Sequence, residues 1–517
     1  MIVQGEIRGG VYFDSVTLMI AARDLTSAAG VLDAAIVMAT PENQSILKSA
    51  GLWLDEFARA GDTDLIVAVK ADSDSTARGA LASAADHLKS VRGRSDAADT
   101  QRPVSLSGAL STLPGANLAL ISVAGRYAAD LARQALDRGL HVLLFSDNVP
   151  LEREIELKQY ARSKGLLLMG PDCGTAIING VPLAFANAVA RGDIGIVAAA
   201  GTGLQEISSI ISNSGAGISQ AIGTGGRDVK EAVGGIMFLE ALAALCDDPA
   251  TRVIVLVSKP PHRSVLGRIG RAVADVSKPV IAAFVGADPD LAATFGMHPA
   301  LSLEEAAWMA VAASARRKME LAKADLRHRD GEIDHQAVQF AREIRHGRKY
   351  VRGLFSGGTF CAEAQSIFAR QGVCDVFSNV ASPPCQPLAD PWTSRGHSLI
   401  DLGDDAFTVG RPHPMIDFSL RNRRILDESK DAETALILLD VVLGYGAHRD
   451  PVSELAPVVA EAARRVAIAC SVTGTPQDPQ DRGKVEGGLI AAGARVWPSN
   501  AAASRFAAIA GKTLGGC

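Results

Sequence analysis

Two stretches of the chain repeat one pattern: IGIVAAA-GTG-LQEISSII at 194–211 and VRGLFS-GGT-FCAEAQSIF at 351–368. Each reads as an apolar strand, a turn of glycine and threonine, and an amphipathic helix. Strands that are apolar along nearly their whole length need cover on both faces, which points to parallel sheets flanked by helices. The first amides of a helix lack intrahelical acceptors and carry partial positive charge, and glycine lets an anion approach the backbone closely. Gly201, Thr202 and Gly203, and equally Gly357, Gly358 and Thr359, are therefore candidate anion and oxyanion sites. A turn that binds nothing is the alternative reading of each.

The fold class expected is α/β, with several doubly wound, flavodoxin-like or Rossmann-like domains plus a small N-terminal α+β domain. At 517 residues the chain suggests about three domains by length. Residues 1–85 alternate short strands and helices as a small α+β domain, and the polar stretch 86–115 reads as a linker. An α/β domain follows at 116–190 and another at 191–310. Residues 311–350 form a charged helical connector, and 351–517 a last α/β domain. Ligands of open parallel sheets bind at the carboxyl ends of strands. That rule places Asn148, Asp172 and Cys173 on a substrate rim, with Gly225 and Gly226 in a second strand-to-helix turn, TGGRD.

Cys173, near a helix start, has the setting of an activated thiol, but with no suitably placed histidine in sequence a packed thiol is the expected reading. Lys259, His262 and Arg263 stand after the strand RVIVLVS and can meet an oxyanion. Arg8 and Asp14 near the N-terminus can contact a ligand or form a turn. His298 is expected at a surface or turn. Asp401, Asp404, Asp405, Arg411, His413 and Asp417 cluster in sequence without a recognised zinc or calcium pattern, so no metal is predicted, while a magnesium accompanying a nucleotide stays open.

A formal net charge of −5 argues against a nucleic-acid surface. No apolar run is long enough for a membrane span, and no secretory leader is read at the start. Seven scattered cysteines without a CxxC pair fit a reduced, cytoplasmic setting.

GPDCGT at 170–175, GIVAAAGTGLQE at 195–206 and AIGTGGRDV at 221–229 are similar to turns of the succinyl-CoA synthetases. With the opening RGGVYFDSVTLM and the later MATPENQSIL, the chain resembles the FdrA family, in which parts like the synthetase α subunit and the carboxyl-terminal domain of the β subunit are fused. The resemblance implies a CoA-binding-like domain at 116–190, without the usual Gly-rich loop. It also implies an α-subunit-like ligase domain at 191–310 and a β-subunit-like domain at 351–517. Two helix starts, one from each half, would then face a shared anion. Where the synthetases carry a histidine in GHAGA, this chain has GMHPA at 296–300, and the ATP-grasp portion of a complete ligase is missing.

The family resemblance further implies a subunit of a carbamoyltransferase, oxamate carbamoyltransferase-like, acting in purine and allantoin breakdown. Phosphate or carbamoyl phosphate would be the substrate, and Lys259 or Arg227 would bind the oxamate carboxylate. Partners would be separate protein subunits, with a homo-oligomer open. Two alternatives are an NDP-forming acyl-CoA ligase-like enzyme using CoA, with magnesium, and a non-catalytic scaffold subunit of such a complex.

Overall fold

A computed structural model describes every residue other than 1, 10–14, 27, 41–42, 45–46, 49, 62, 96–102, 104, 124, 345–346, 409–411 and 516–517. Residues 1–115 with 407–412 form one compact unit, and 116–406 with 413–517 a second. The architecture is mixed α/β, with parallel sheets and a small α+β N-terminal domain.

In the first unit, β1 (Ile2–Arg8), β2 (Val31–Met38) and β3 (Leu65–Ala71) form an antiparallel sheet in the order β1-β3-β2. The period-2 alternation of β3 serves two apolar clusters. Leu65, Val67, Val69 and Ala71 pack with Leu18, Ala21 and Leu25 of α1 (Ser15–Thr26) and Ala77, Ala84 and Leu88 of α2 (Asp74–Ser95), while Ile66 and Ala68 pack with Leu47, Leu52 and Phe57. Helix α2 runs to Ser95, into the stretch read as a linker. A short α3 (Leu106–Thr112) follows, capped by the Ser105 hydroxyl.

The second unit opens with a parallel sheet of β4 (Leu118–Ile121), β5 (His141–Leu144) and β6 (Leu168–Met169), with α4 (Gly125–Asp137) and α5 (Leu151–Ser163) as its crossovers. A seven-stranded sheet comes next. It is made of β7 (Thr175–Ile178), β8 (Val181–Ala184), β9 (Arg191–Ala198), β10 (Ile218–Gly223), β11 (Val253–Ser258), β12 (Val280–Phe284) and β13 (His298–Pro299). Its order is β13-β12-β11-β9-β10-β7-β8. Its helices include α6 (Gly201–Asn213), α7 (Ile236–Asp247), α8 (Arg263–Val273), α9 (Leu303–Ser314) and α10 (Met319–Glu343).

A second seven-stranded sheet contains β14 (Tyr350–Phe355), β15 (Val376–Ser378), β16 (Gln386–Pro387), β17 (His397–Asp401), β18 (Thr434–Val442), β19 (Ala467–Thr473) and β20 (Arg495–Trp497). The order is β16-β15-β17-β14-β18-β19-β20, parallel throughout. Helices α11 (Gly358–Arg370), α12 (Ser419–Lys430), α13 (Pro451–Ala463), α14 (Arg482–Ala491) and α15 (Asn500–Gly515) complete it.

β9 and β14 are each the middle strand of their sheet, and in each the chain leaves that strand to build both sides. The Gly/Thr turns that follow them therefore lie at topological switch points, where open α/β sheets form their crevices. The helices launched there are sandwiched: Thr202 to Ile211 of α6 are all buried, and α11 and α15 are buried along most of their length. One apolar cluster joins Leu204 and Ile207 of α6, Ala306 and Ala310 of α9, Phe360 and Phe368 of α11, and Phe506 of α15.

Two glutamates at matching positions lock these helices across the halves. Glu206 of α6 accepts the backbone N–H of Asn500, first residue of α15, at 2.9 Å and the Thr473 hydroxyl at 2.5 Å. Glu363 of α11 accepts the backbone N–H of Leu303, first residue of α9, at 2.7 Å. Asn500 joins the two, since its side-chain amide donates to Glu363 at 2.7 Å. Each carboxyl thus supplies the helix start that belongs to the other sheet, and the Ser499 hydroxyl reciprocates by donating to Glu304 of α9 at 2.6 Å.

Burial raises the Glu363 carboxyl from 4.5 to about 7, and it raises Glu206 as well. The folded chain therefore holds protons that the unfolded chain releases above pH 4.5. This contribution is complete below that pH and is lost as pH rises through 7, at up to roughly 1.4 kcal/mol per pH unit for one group. Thermal midpoints measured between pH 5 and 8 are expected to fall with rising pH, and E363Q to flatten the slope; an unchanged slope in E363Q would show that Glu363 does not titrate in the fold.

Candidate functional site

The starts of α6 and α11 meet face to face. Their N-cap residues, Ala200 and Gly357, give no side-chain cap. A Cβ placed on Gly357 would lie 2.6 Å from Thr202 Cγ2, and one on Gly203 would lie 3.2 Å from Thr359 Cγ2. Each threonine packs where the facing turn has glycine, so glycine at 203 and 357 permits the approach. Gly201 is exposed, and a Cβ there would meet nothing nearer than Thr175 Oγ1 at 3.8 Å. The six residues of the two Gly/Thr turns are thus brought together, with an opening at Gly201.

The α11 start is anchored from behind. Ser356 donates its backbone N–H and hydroxyl to Asp440 at 2.7 and 2.6 Å, and Arg421 donates to the Asp440 carbonyl at 2.6 Å, with Asp440 and Arg421 fully buried. An isolated buried carboxylate is costly, and this pairing is what lets Asp440 hold the turn.

Lys259 follows β11, the neighbour of β9, and its Nζ lies 3.7 Å from a Cβ placed on Gly358. Among the described residues it makes no hydrogen bond or ion pair within 4 Å. From the other side comes Asp401, last residue of β17, whose Oδ2 lies 2.5 Å from that same Cβ position. Asp401 Oδ1 accepts the Gly403 N–H at 2.9 Å, and Asn379 exchanges two hydrogen bonds with the Asp401 backbone. Burial pushes the Asp401 carboxyl up to about 6, with Lys259 opposing the rise. His413 closes the ring, with its Nε2 2.8 Å from a Cβ placed on Gly403. Its Nδ1 accepts the Met415 N–H at 3.2 Å, and burial lowers it to about 4, so the ring is neutral with its proton on Nε2. Sequence reasoning set Asp401 and His413 in an aspartate-rich stretch and missed that β17 ends beside β14, which carries them to the α11 start.

The other rim residues lie in a neighbouring cluster. Asn148 and Asp172 both adopt φ of 52°, a turn conformation that Asn and Asp tolerate. Asp172 keeps an exposed surface, yet the surrounding protein and Asp147 push its carboxyl up to about 6, with Arg227 opposing. Gly225, at φ 84°, sits where a Cβ would strike the Pro171 carbonyl at 2.4 Å; Gly226 is exposed. Arg227 is tied down: its Nε is 2.8 Å from Glu154 and its Nη2 donates to the Val149 carbonyl at 2.9 Å. Behind it, fully buried Lys158 donates to Glu154 and Asp228 at 2.8 Å each, and Asp228 accepts the Phe238 N–H at 2.6 Å near the start of α7. Arg227 therefore clamps loops, whereas Lys259 faces the helix starts.

Cys173 is not a rim group. It is 4% exposed within an apolar cluster, and burial pushes its thiol up to about 12, so it stays protonated. His298 is exposed on edge strand β13, three strand spacings from β9, or roughly 14 Å. Arg8 lies in the first unit and pairs with Glu6; Asp14 and Arg411 fall outside the described residues. Among the described residues no three His, Cys, Asp or Glu side chains converge as a metal site, and no helix is long and apolar enough to cross a membrane.

The CoA-ligase family profile matches residues 354–510, and the profile described as AllF, heavy metal-associated domain, matches residues 1–104. A soft-metal site does not fit that second span, which contains no cysteine and one histidine, His87. The chain is 40% identical over 486 residues to the uncharacterized protein YahF of Escherichia coli K12, covering 92% of each chain. It is 27% identical over 175 residues to subunit alpha 1 of the ADP-forming succinate–CoA ligase of Archaeoglobus fulgidus, spanning 33% of this chain and 58% of that subunit. With the malate–CoA ligase subunit alpha of Methylorubrum extorquens it shares 28% over 153 residues, 28% of this chain and half of that subunit. A dinucleotide-forming acetyl-coenzyme A synthetase from Ca. Korarchaeum cryptofilum aligns over 77% of this chain and 83% of its own at 16% identity, with a TM-score of 0.32.

These relatives correct one expectation. A carbamoyltransferase was expected, but the relatives with named activities are CoA ligases, and the matching family profile is a CoA-ligase. The ligase alternative is the one they favour.

The contact between helix starts can be tested directly. G357A, which drives a methyl into Thr202, is expected to cost about 1–3 kcal/mol in denaturant unfolding. T202A, which removes the two nearest atoms but leaves Cβ 3.0 Å from the new methyl, should restore part of that loss in the double variant, giving a coupling above about 0.5 kcal/mol; additive effects would mean that the two turns do not touch.

Proposed function

Because this chain belongs to the FdrA family, related to the succinyl-CoA synthetases, we propose that it is a subunit of an acyl-CoA ligase system. In this reading an acyl group passes between phosphate and the thiol of CoA, and nucleotide chemistry belongs to a separate subunit. The carrying observation is the pair of uncapped helix starts meeting across Thr202–Gly357 and Gly203–Thr359, with Lys259 beside them. Support for separate partners comes from relatives that are named as subunits.

The residues fit a small anion. Open amides at Gly201 to Gly203 and at Gly358 and Thr359 bind phosphate oxygens, and Lys259 neutralises their charge. Held this way, an acyl phosphate presents its carbonyl at the opening beside Gly201, and the same donors stabilise charge on the departing phosphate. CoA supplies the acceptor thiol when bound. Asp401 sits where it can take or return a proton at Oδ2, and its rise to about 6 keeps both forms within reach near neutrality.

The test is acetyl-CoA formation from acetyl phosphate and CoA by the purified chain, alone and with an ADP-handling subunit. K259M is expected to lower kcat by about 10²-fold, and a folded chain inert in both settings would sink the reading. Sulfate, which stays a dianion across the range, reports the site's charge. Asp401 is ionised above about pH 6 and neutral below it, so sulfate affinity should rise as pH falls from 7.5 to 5.5. Calorimetric titration of D401N should lose that dependence; a dependence of equal size in D401N would assign it to another group.

A further inference from the structure

Asp401 is 7% exposed, and while Oδ1 accepts the Gly403 N–H, Oδ2 makes no hydrogen bond among the described residues. That free oxygen is aimed at Gly358, the first residue of α11, a helix start with no side-chain cap. Asp401 Oδ2 is not sealed from solvent, so the oxygen that lacks a donor is one an incoming group can reach. The starts of α6 and α11 and the Lys259 ammonium surround the place where charge on that oxygen would be extended by a transferred group.

The histidines near the second unit's rims are poorly placed for that role. His298 is on the outer edge strand. His262 holds the start of α8, with its Nδ1 2.8 Å from Ser264 Oγ and its Nε2 3.7 Å from Glu231. His413 has Nδ1 engaged by the Met415 N–H and its proton on Nε2, leaving no free lone pair.

We infer that Asp401 is a covalent phosphoryl acceptor, its Oδ2 taking the phosphoryl group from an acyl phosphate at the paired helix starts. The step rests on the ligase reading above for its donor class. Asp401 Oδ2 attacks phosphorus, the bond between phosphorus and the acyl oxygen breaks, and the acyl group leaves as a carboxylate. An aspartyl phosphate forms with no net proton transfer and no change of oxidation state. Its three outer oxygens are met by the amides of Gly358 and Thr359, those of the α6 start, and Lys259.

The experiment uses the full chain and acetyl phosphate labelled with 32P. The expected result is a protein-bound label that survives acid and is released by alkali and by hydroxylamine, as an acyl phosphate is. Borohydride reduction of the labelled wild-type chain, followed by peptide mapping, should place the modification at position 401. D401N, with a thermal midpoint near that of the wild type, should carry no label. Absence of label on the wild type, a label stable to alkali but lost in acid, or a label retained in D401N would each overturn the assignment. The two readings fail separately. Acetyl-CoA formation that persists in unlabelled D401N, at whatever rate, removes the covalent step and leaves acyl transfer to CoA standing; the wild-type rate would remove the proton role of Asp401 as well. A wild type that is labelled at 401 but never forms acetyl-CoA removes the ligase reading and leaves the covalent step.

Discussion

Asn500 is the hinge pin of the second unit. Its backbone N–H is held by Glu206 and its side-chain amide by Glu363, one carboxyl from each Gly-turn helix. Both carboxyls are buried, so their hydrogen bonds act in a low dielectric, where meeting or missing a donor matters most. Because Glu363 also holds the start of α9, the helices of one sheet are finished by residues of the other. The register between α6 and α11 follows from this, and with it the approach of Thr202 to Gly357 on which the proposed anion site depends.

Much of this was legible in the chain. Apolar strands closed by Gly/Thr turns announced parallel sheets, and the repeated turn announced a pair of helix starts. Aligning the two copies also shows glutamate at the sixth helical position of each, Glu206 after Gly201 and Glu363 after Gly358. That correspondence was there to be read, but Asn500 between them was not, because nothing local marks a residue nearly 300 positions from Glu206 as its partner. Strand order was hidden for the same reason. Asp401 reaches the site only because β17 pairs beside β14, and an aspartate-rich loop read along the sequence suggests metal chemistry before it suggests an interior carboxyl.

The positions of the remaining candidates have physical causes. Arg227 looked free because its turn is rich in glycine, yet buried Glu154 needs a cation, and Arg227 and Lys158 share that task. Cys173 was placed on the strand-end rim, but it is enclosed by apolar side chains as the packed thiol expected of it, and such a thiol gains nothing from ionising. His298, expected at a surface or turn, is exposed on the outer edge strand, away from the switch point. Chemistry in this fold is decided by which strand is in the middle.

The reciprocal finishing of helix starts has a consequence for how the molecule comes apart. Opening either seven-stranded half strips the other of hydrogen bonds at a buried helix terminus, so partial unfolding of one half saves little of the other. Two sheets with separate strand orders are thereby made into one cooperative foldon. Backbone amides of β9 and β14, at the centres of different sheets, are then expected to share a single opening event.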